Sequence, residues 1–103
     1  MTQPIYSAPI ELAEPIKRGD TEIKEITLRR PGAGELRGLK LADLVQGDVN
    51  AVIRLLPRIS QPTLIEQEAA TMDPFDITRC ADEISLFLQT PPPKKAASDS
   101  PAK

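Results

Sequence analysis

The sequence predicts an α+β fold, mainly α: an N-terminal β-hairpin, then three to five short helices, then a disordered C-terminal tail. Three observations carry this. Ile10, Leu12 and Ile16 precede a Lys17-Arg18-Gly19-Asp20 turn, and Ile23, Ile26 and Leu28 follow it. Behind Asp48, and again behind Asp73-Pro74, apolar residues recur at three- and four-residue spacing. Of the 11 prolines in this 103-residue chain, Pro4, Pro9, Pro91, Pro92, Pro93 and Pro101 lie in the two ends. The chain therefore divides into a flexible arm (1–9), a single domain (10–89) and a disordered Pro/Lys-rich tail (90–103), leaving roughly 80 residues for one core.

The hairpin rests on Gly19-Asp20, where glycine supplies a positive φ and aspartate a capping side chain. Pro15 has no N–H to give a ladder, which confines the first strand to an edge or a bulge. The Ile23-to-Ile26 spacing breaks strict alternation and predicts a bulge or a brief helical turn near Lys24. Pro31-Gly32-Ala33-Gly34 ends the second strand. A short helix over Ala33–Arg37 follows, stopped by Gly38, and Leu41, Leu44 and Val45 form a second helical turn closed by Gly47.

Asp48 is a good N-cap for a helix whose stripe is Val49, Val52, Ile53, Leu56 and Ile59. Pro57 predicts an end near Leu56 or a kink, with Arg58 and Ile59 in a distorted last turn. Thr63-Leu64-Ile65-Glu66 reads as a capping box opening a short helix through Ala70. Asp73 caps the last helix, with Pro74 at its first position and Asp76 near its positive end. That helix runs to Leu88 or Gln89 along Ile77, Cys80, Ala81, Ile84 and Leu88, with Phe87 adjoining. Three consecutive prolines stop it.

Composition excludes most chemistry. With no His there is no imidazole base, no Ser-His or Cys-His nucleophile and no His-containing metal site. The single Cys80 makes no intrachain disulfide or thiolate zinc site and reads as a small buried apolar residue. The carboxylate pairs Glu66/Glu68, Asp73/Asp76 and Asp82/Glu83 are explained by helix facing and capping, not by convergence in a cleft. Gly32-Ala33-Gly34 lacks the third glycine and the Lys-Ser/Thr ending of a phosphate loop. The expectation is no enzyme, no cofactor and no metal.

Charge is uneven: residues 1–40 carry seven basic and six acidic side chains, 41–89 three and eight, and 90–103 three and one. The acidic middle argues against a nucleic-acid partner, and Arg29, Arg30, Arg37 and Lys40, the one basic cluster, read as a solvated strand end and helical turn. The N-terminus lacks a secretory signal, and no apolar run approaches a membrane span. What remains is contact with another protein. Leu55 lies off the main stripe and, with Ile59 and Leu64, extends an apolar patch, while Leu86, Phe87 and Leu88 make the last turn of the final helix nearly apolar all round. These six are the candidate partner-binding residues, and core packing is the competing reading of each.

From Ile26-Thr27-Leu28-Arg29-Arg30-Pro31 through Gly34-Glu35-Leu36-Arg37-Gly38-Leu39, then Leu55-Leu56-Pro57-Arg58-Ile59-Ser60 and Met72-Asp73-Pro74, the sequence resembles the tail assembly proteins of Mu-like contractile-tailed bacteriophages and prophages. These are the small phage tail assembly chaperones. The resemblance covers about residues 10–88. It implies a chaperone that binds the tape-measure protein, with the tail tube protein as a further partner, in the bacterial host cytoplasm. It also implies a longer form made by ribosomal frameshifting, for which the codons of Pro93-Lys94-Lys95 would offer a slippery stretch. The alternative is a structural subunit that forms a homo-oligomer by strand addition at the hairpin edge and stays in the virion.

Overall fold

The structure, a computed structural model, describes residues 5–91. It begins with β1 (Ile10–Arg18) and β2 (Thr21–Leu28), followed by a 3-10 turn (Ala33–Leu36). The helices are α1 (Leu41–Gln46), α2 (Val49–Ile59), α3 (Glu66–Ala70) and α4 (Pro74–Gln89), with the two-residue strand β3 (Ser60–Gln61) between α2 and α3. The strands form one antiparallel sheet in the order β1-β2-β3. The architecture is α+β, but "mainly α" overstates the helices. The sheet supplies Ile10, Leu12, Ile16, Ile23, Ile26 and Leu28 to the same core that α1, α2 and α4 fill with Leu44, Leu55, Leu56 and Ile84.

The hairpin forms as the turn chemistry dictates. Arg18 pairs with Thr21 across Gly19-Asp20, and Gly19 takes φ +58°, a conformation that costs a residue with a Cβ about 1 kcal/mol. Glu11 pairs with Glu25 and Ile16 with Ile23, so Leu12, Ala13, Glu14 and Pro15 together face the single Lys24. The irregularity expected near Lys24 is thus a wide bulge carried by the opposite strand, where Pro15 has no N–H to lose. On β2, Ile23 and Ile26 are buried on either side of this irregularity.

Residues 5–7, read from sequence as part of a flexible arm, run along the end of β2. The Ser7 N–H donates to the Leu28 carbonyl at 2.7 Å, the Leu28 N–H to Ser7 Oγ at 3.0 Å, and the Arg30 N–H to the Ile5 carbonyl at 2.6 Å. The chain had offered no periodicity there, because backbone pairing carries this contact. Residues 1–4, and the expected tail from 92 onward with its Pro93-Lys94-Lys95 stretch, lie outside the described residues.

Capping follows the sequence at two helices and departs at a third. The Ala51 N–H donates to Asp48 at 3.0 Å and the Phe75 N–H to Asp73 at 3.0 Å. Gly47 closes α1 in the left-handed region at φ +80°. The box expected from Thr63 and Glu66 is displaced by two residues: Ile65 is the N-cap and Glu68 reaches back to its N–H at 3.1 Å. The cause is tertiary. Leu64 is fully buried and its N–H donates to Ser60 Oγ, while the Thr63 carbonyl accepts from Arg18, so the chain stays extended through Ile65. Pro57 neither ends α2 nor displaces its last turn, since the helix runs to Ile59. So near the C-terminal end, proline removes a single ladder bond.

Candidate functional site

Four of the six positions nominated from sequence belong to the core. Leu55 and Leu64 are fully buried, Ile59 and Phe87 nearly so, and Leu88 is half-buried against the same cluster. Leu86 alone stands out, at 55 % exposure. An exposed apolar patch at Leu55, Ile59 and Leu64 is therefore absent from the folded chain. The reason is the rotation of α2, which buries Ala51, Val52, Leu55, Leu56 and Ile59 and leaves Val49 54 % exposed with Ile53 half-buried. The helix packs mainly on α3 and α4 with its Leu55 side buried, and the opposite side of the predicted stripe becomes surface.

That displaced edge builds an apolar groove. Val49 and Ile53 of α2, Ala69 and Ala70 of α3, Met72 in the link, and Pro74, Ile77 and Thr78 of α4 line a cavity of about 280 Å³. No lining side chain is charged. The one hydroxyl, on Thr78, donates to the Pro74 carbonyl at 2.9 Å inside its own helix and so is already paired. The other concavities mix in charged groups: Glu14, Lys17, Glu68 and Asp73 between β1 and α3, or Lys40, Asp43, Asp48 and Arg54 beside α1. Sequence periodicity assigned Val49 and Ile53 to the core. The signal that could have corrected it was Ala51, which completes a stripe with Leu55 but is small enough to overlook.

Ion pairs hold the walls of the groove and the opposite edge of the sheet. Arg18 Nη2 donates to Glu68 Oε1 at 2.6 Å and Arg18 Nε to Oε2 at 2.8 Å, tying α3 to the hairpin. The bonds from Arg18 hold the Glu68 carboxyl below its ordinary range. Arg29 makes a two-pronged pair with Glu35, with Nη1 at 2.7 Å, and lowers that carboxyl likewise. Arg29 also donates to the Arg58 carbonyl, and Arg58 to the carbonyls of Glu35 and Arg37. Part of the basic cluster is thus committed to bracing the 3-10 turn against α2.

A second device was missed. Asp76, fully buried, accepts from the Ala13 N–H at 2.8 Å and the Glu14 N–H at 3.1 Å, the amides that the bulge turns away from β2. Arg79 Nη1 lies 3.9 Å from the same carboxylate and donates to the Glu11 carbonyl, and Arg79 Cζ sits 5.5 Å from the centre of the Phe75 ring. With Pro15 lacking an N–H, the outer side of β1 is occupied from Glu11 to Pro15. The strand-addition route expected at that edge is closed there. Asp76 was legible as a helix-start acid, but its spacing to Cys80, Ile84 and Phe87 also put it on the buried face, and that was the signal.

Cys80 is buried and free, and burial, with the charge of Asp76 second, pushes its thiol up to about 12. The thiol is inert at neutral pH. Iodoacetamide is expected to leave Cys80 unmodified in the native chain and to alkylate it fully in denaturant. Labelling of the native protein on the denatured timescale would contradict its burial. Among the described residues no cluster of His, Cys, Asp and Glu could hold a metal ion, and no helix is long and apolar enough to cross a membrane.

Comparison with known proteins adds a family. The family described as phage tail assembly chaperone proteins, E, or 41 or 14, matches residues 9–89. Tail assembly protein E of Escherichia phage P2 is 42 % identical over 79 residues, covering 77 % of this chain and 87 % of its own. Tail assembly protein E' of the same phage is 42 % identical over 79 residues, and there the match spans only 56 % of the relative's length. No solved structure matches the chain.

Proposed function

This chain belongs to the phage tail assembly chaperone family, and on that premise we propose that it binds the tape-measure protein and keeps it soluble until the tail tube polymerises around it. A role in tail assembly comes with the family; the client and the holding action are the proposal. The observation that supports it is the groove of Val49, Ile53, Ala70, Met72, Pro74, Ile77 and Thr78. A holdase needs apolar surface that is accessible yet too small to aggregate, and this groove is apolar, uncharged and bounded by polar helix faces. Binding takes place in the host cytoplasm, where tails are built.

Co-expression with the tape-measure protein of the same phage is the test. The expected result is a soluble complex that co-purifies, lost on Val49→Asp, which leaves the unfolding midpoint of the chaperone nearly unchanged because Val49 is more than half exposed. A tape-measure protein equally insoluble with and without this chain overturns the proposal. Recovery of the chain in stoichiometric amount from purified particles would instead favour a structural subunit.

A further inference from the structure

We infer that the groove between α2, α3 and α4 receives an amphipathic α-helix of basic character, with apolar side chains in the groove and Lys or Arg on both flanks. The inference builds on the reading above by naming the chemistry of the segment bound, whatever protein carries it.

The first step is the secondary structure of the occupant. Val49 and Ile53 are four apart on α2, and Pro74 and Thr78 four apart on α4, so each wall offers one helical turn of apolar surface. Both walls are first turns of helices, where Asp48 and Asp73 cap the Ala51 and Phe75 N–H groups, and neither wall presents a strand edge. A β-strand laid here would find no edge to pair with and would bury its own N–H and C=O groups against methyl groups, at a cost of about 1–3 kcal/mol for each unpaired group. A helix satisfies its backbone internally and presents only side chains. Residues spaced i, i+3 and i+4 on one face fit a groove of this length.

The second step is charge. Glu66 stands one turn before Ala70 on α3 and Asp82 one turn after Thr78 on α4, and both are exposed. Asp48 and Asp73, next to Val49 and Pro74 in sequence, cap their own helices and line other concavities, so they do not belong to this rim. Against the two exposed carboxylates of Glu66 and Asp82 stands Arg54, which lines the concavity beside α1. Arg79, although next to Thr78 in sequence, turns away to the Glu11 carbonyl, and Arg58 to the carbonyls of Glu35 and Arg37. An acidic helix brought to this rim meets like charge from α3 and from α4. A basic one gains partly solvated pairs with Glu66 and Asp82, which set preference and on-rate.

The probes are two labelled synthetic peptides of equal length with the same Leu stripe at i, i+3, i+4 and i+7. One is flanked by Lys and the other by Glu, and binding to the full chain is read by fluorescence anisotropy. The Lys-flanked peptide is expected to bind at least tenfold more tightly at low salt, with the ratio shrinking several-fold at high salt. In the Glu66→Lys, Asp82→Lys double variant, whose substitutions are exposed and outside the groove, the preference should fall or reverse. Val49→Asp should weaken the Lys-flanked peptide by tenfold or more. Equal binding of the two peptides, preference for the Glu-flanked one, no binding of either, or binding indifferent to Val49→Asp each overturns the inference. Its failure is separable from failure of the chaperone reading. A chain that solubilises the tape-measure protein but binds neither peptide loses only the inference. One that binds the Lys-flanked peptide but leaves the tape-measure protein insoluble loses only the client.

Discussion

Asp76→Asn is expected to destabilise the fold by about 3 kcal/mol, the largest effect of any single polar substitution here. The wild-type carboxylate is fully buried and accepts two backbone N–H groups, from Ala13 and Glu14. Hydrogen bonds to a charged group contribute about 1.5–3 kcal/mol each, and a buried N–H left without an acceptor costs about 1–3 kcal/mol. Asparagine keeps the shape but presents an NH2 to one of those donors, so one bond is replaced by a donor facing a donor. For a domain whose total stability is roughly 4–12 kcal/mol, that is a large share. Urea denaturation followed by circular dichroism measures it, with Asp82→Asn, exposed on the same helix, as the near-neutral control. A midpoint for Asp76→Asn equal to that of the control would show that the bulge amides do not depend on this side chain.

Leu55→Ala is expected to cost about 2–5 kcal/mol, the usual range for emptying a buried leucine site whose surroundings cannot collapse fully. Leu55 is fully buried on α2, which packs mainly against α3 and α4. Leu86→Ala, on the exposed side of α4, should change stability by no more than about 0.5 kcal/mol. The contrast separates a packing residue from a surface residue directly: were Leu55 a docking position, the two substitutions would give similar midpoints and Leu55→Ala would act on binding alone.

Much of the architecture was legible because local chemistry and tertiary packing agree. Gly19-Asp20 had one good use, a tight turn. Asp48 and Asp73-Pro74 had one good use each, as helix starts. The rest failed where two local solutions were nearly equal and long-range contacts chose between them. On α2, the stripes containing Val49 and Ile53 or Ala51 and Leu55 share Val52, Leu56 and Ile59. Apolarity favours the first, and the shape of the space between sheet and α4 selects the second. Around α3, Thr63 with Glu66 is a sound box, but burial of Leu64 and the pull of Arg18 on Glu68 and on the Thr63 carbonyl shift the start to Ile65. The same competition decided the candidate site. Its walls come from residues that periodicity gave to the core, and its nominated residues were spent on packing.

The carboxylate that seals β1 comes from 63 positions further along the chain. During synthesis the hairpin leaves the ribosome first, with its bulge amides bare and its outer edge open. It stays so until α4, the last element among the described residues, has been made. A nascent chain short of Pro74 thus has all of its sheet and none of its seal. The two ends of the domain are thereby coupled: a stretch of chain lacking α4 has no partner to offer the Ala13 and Glu14 amides.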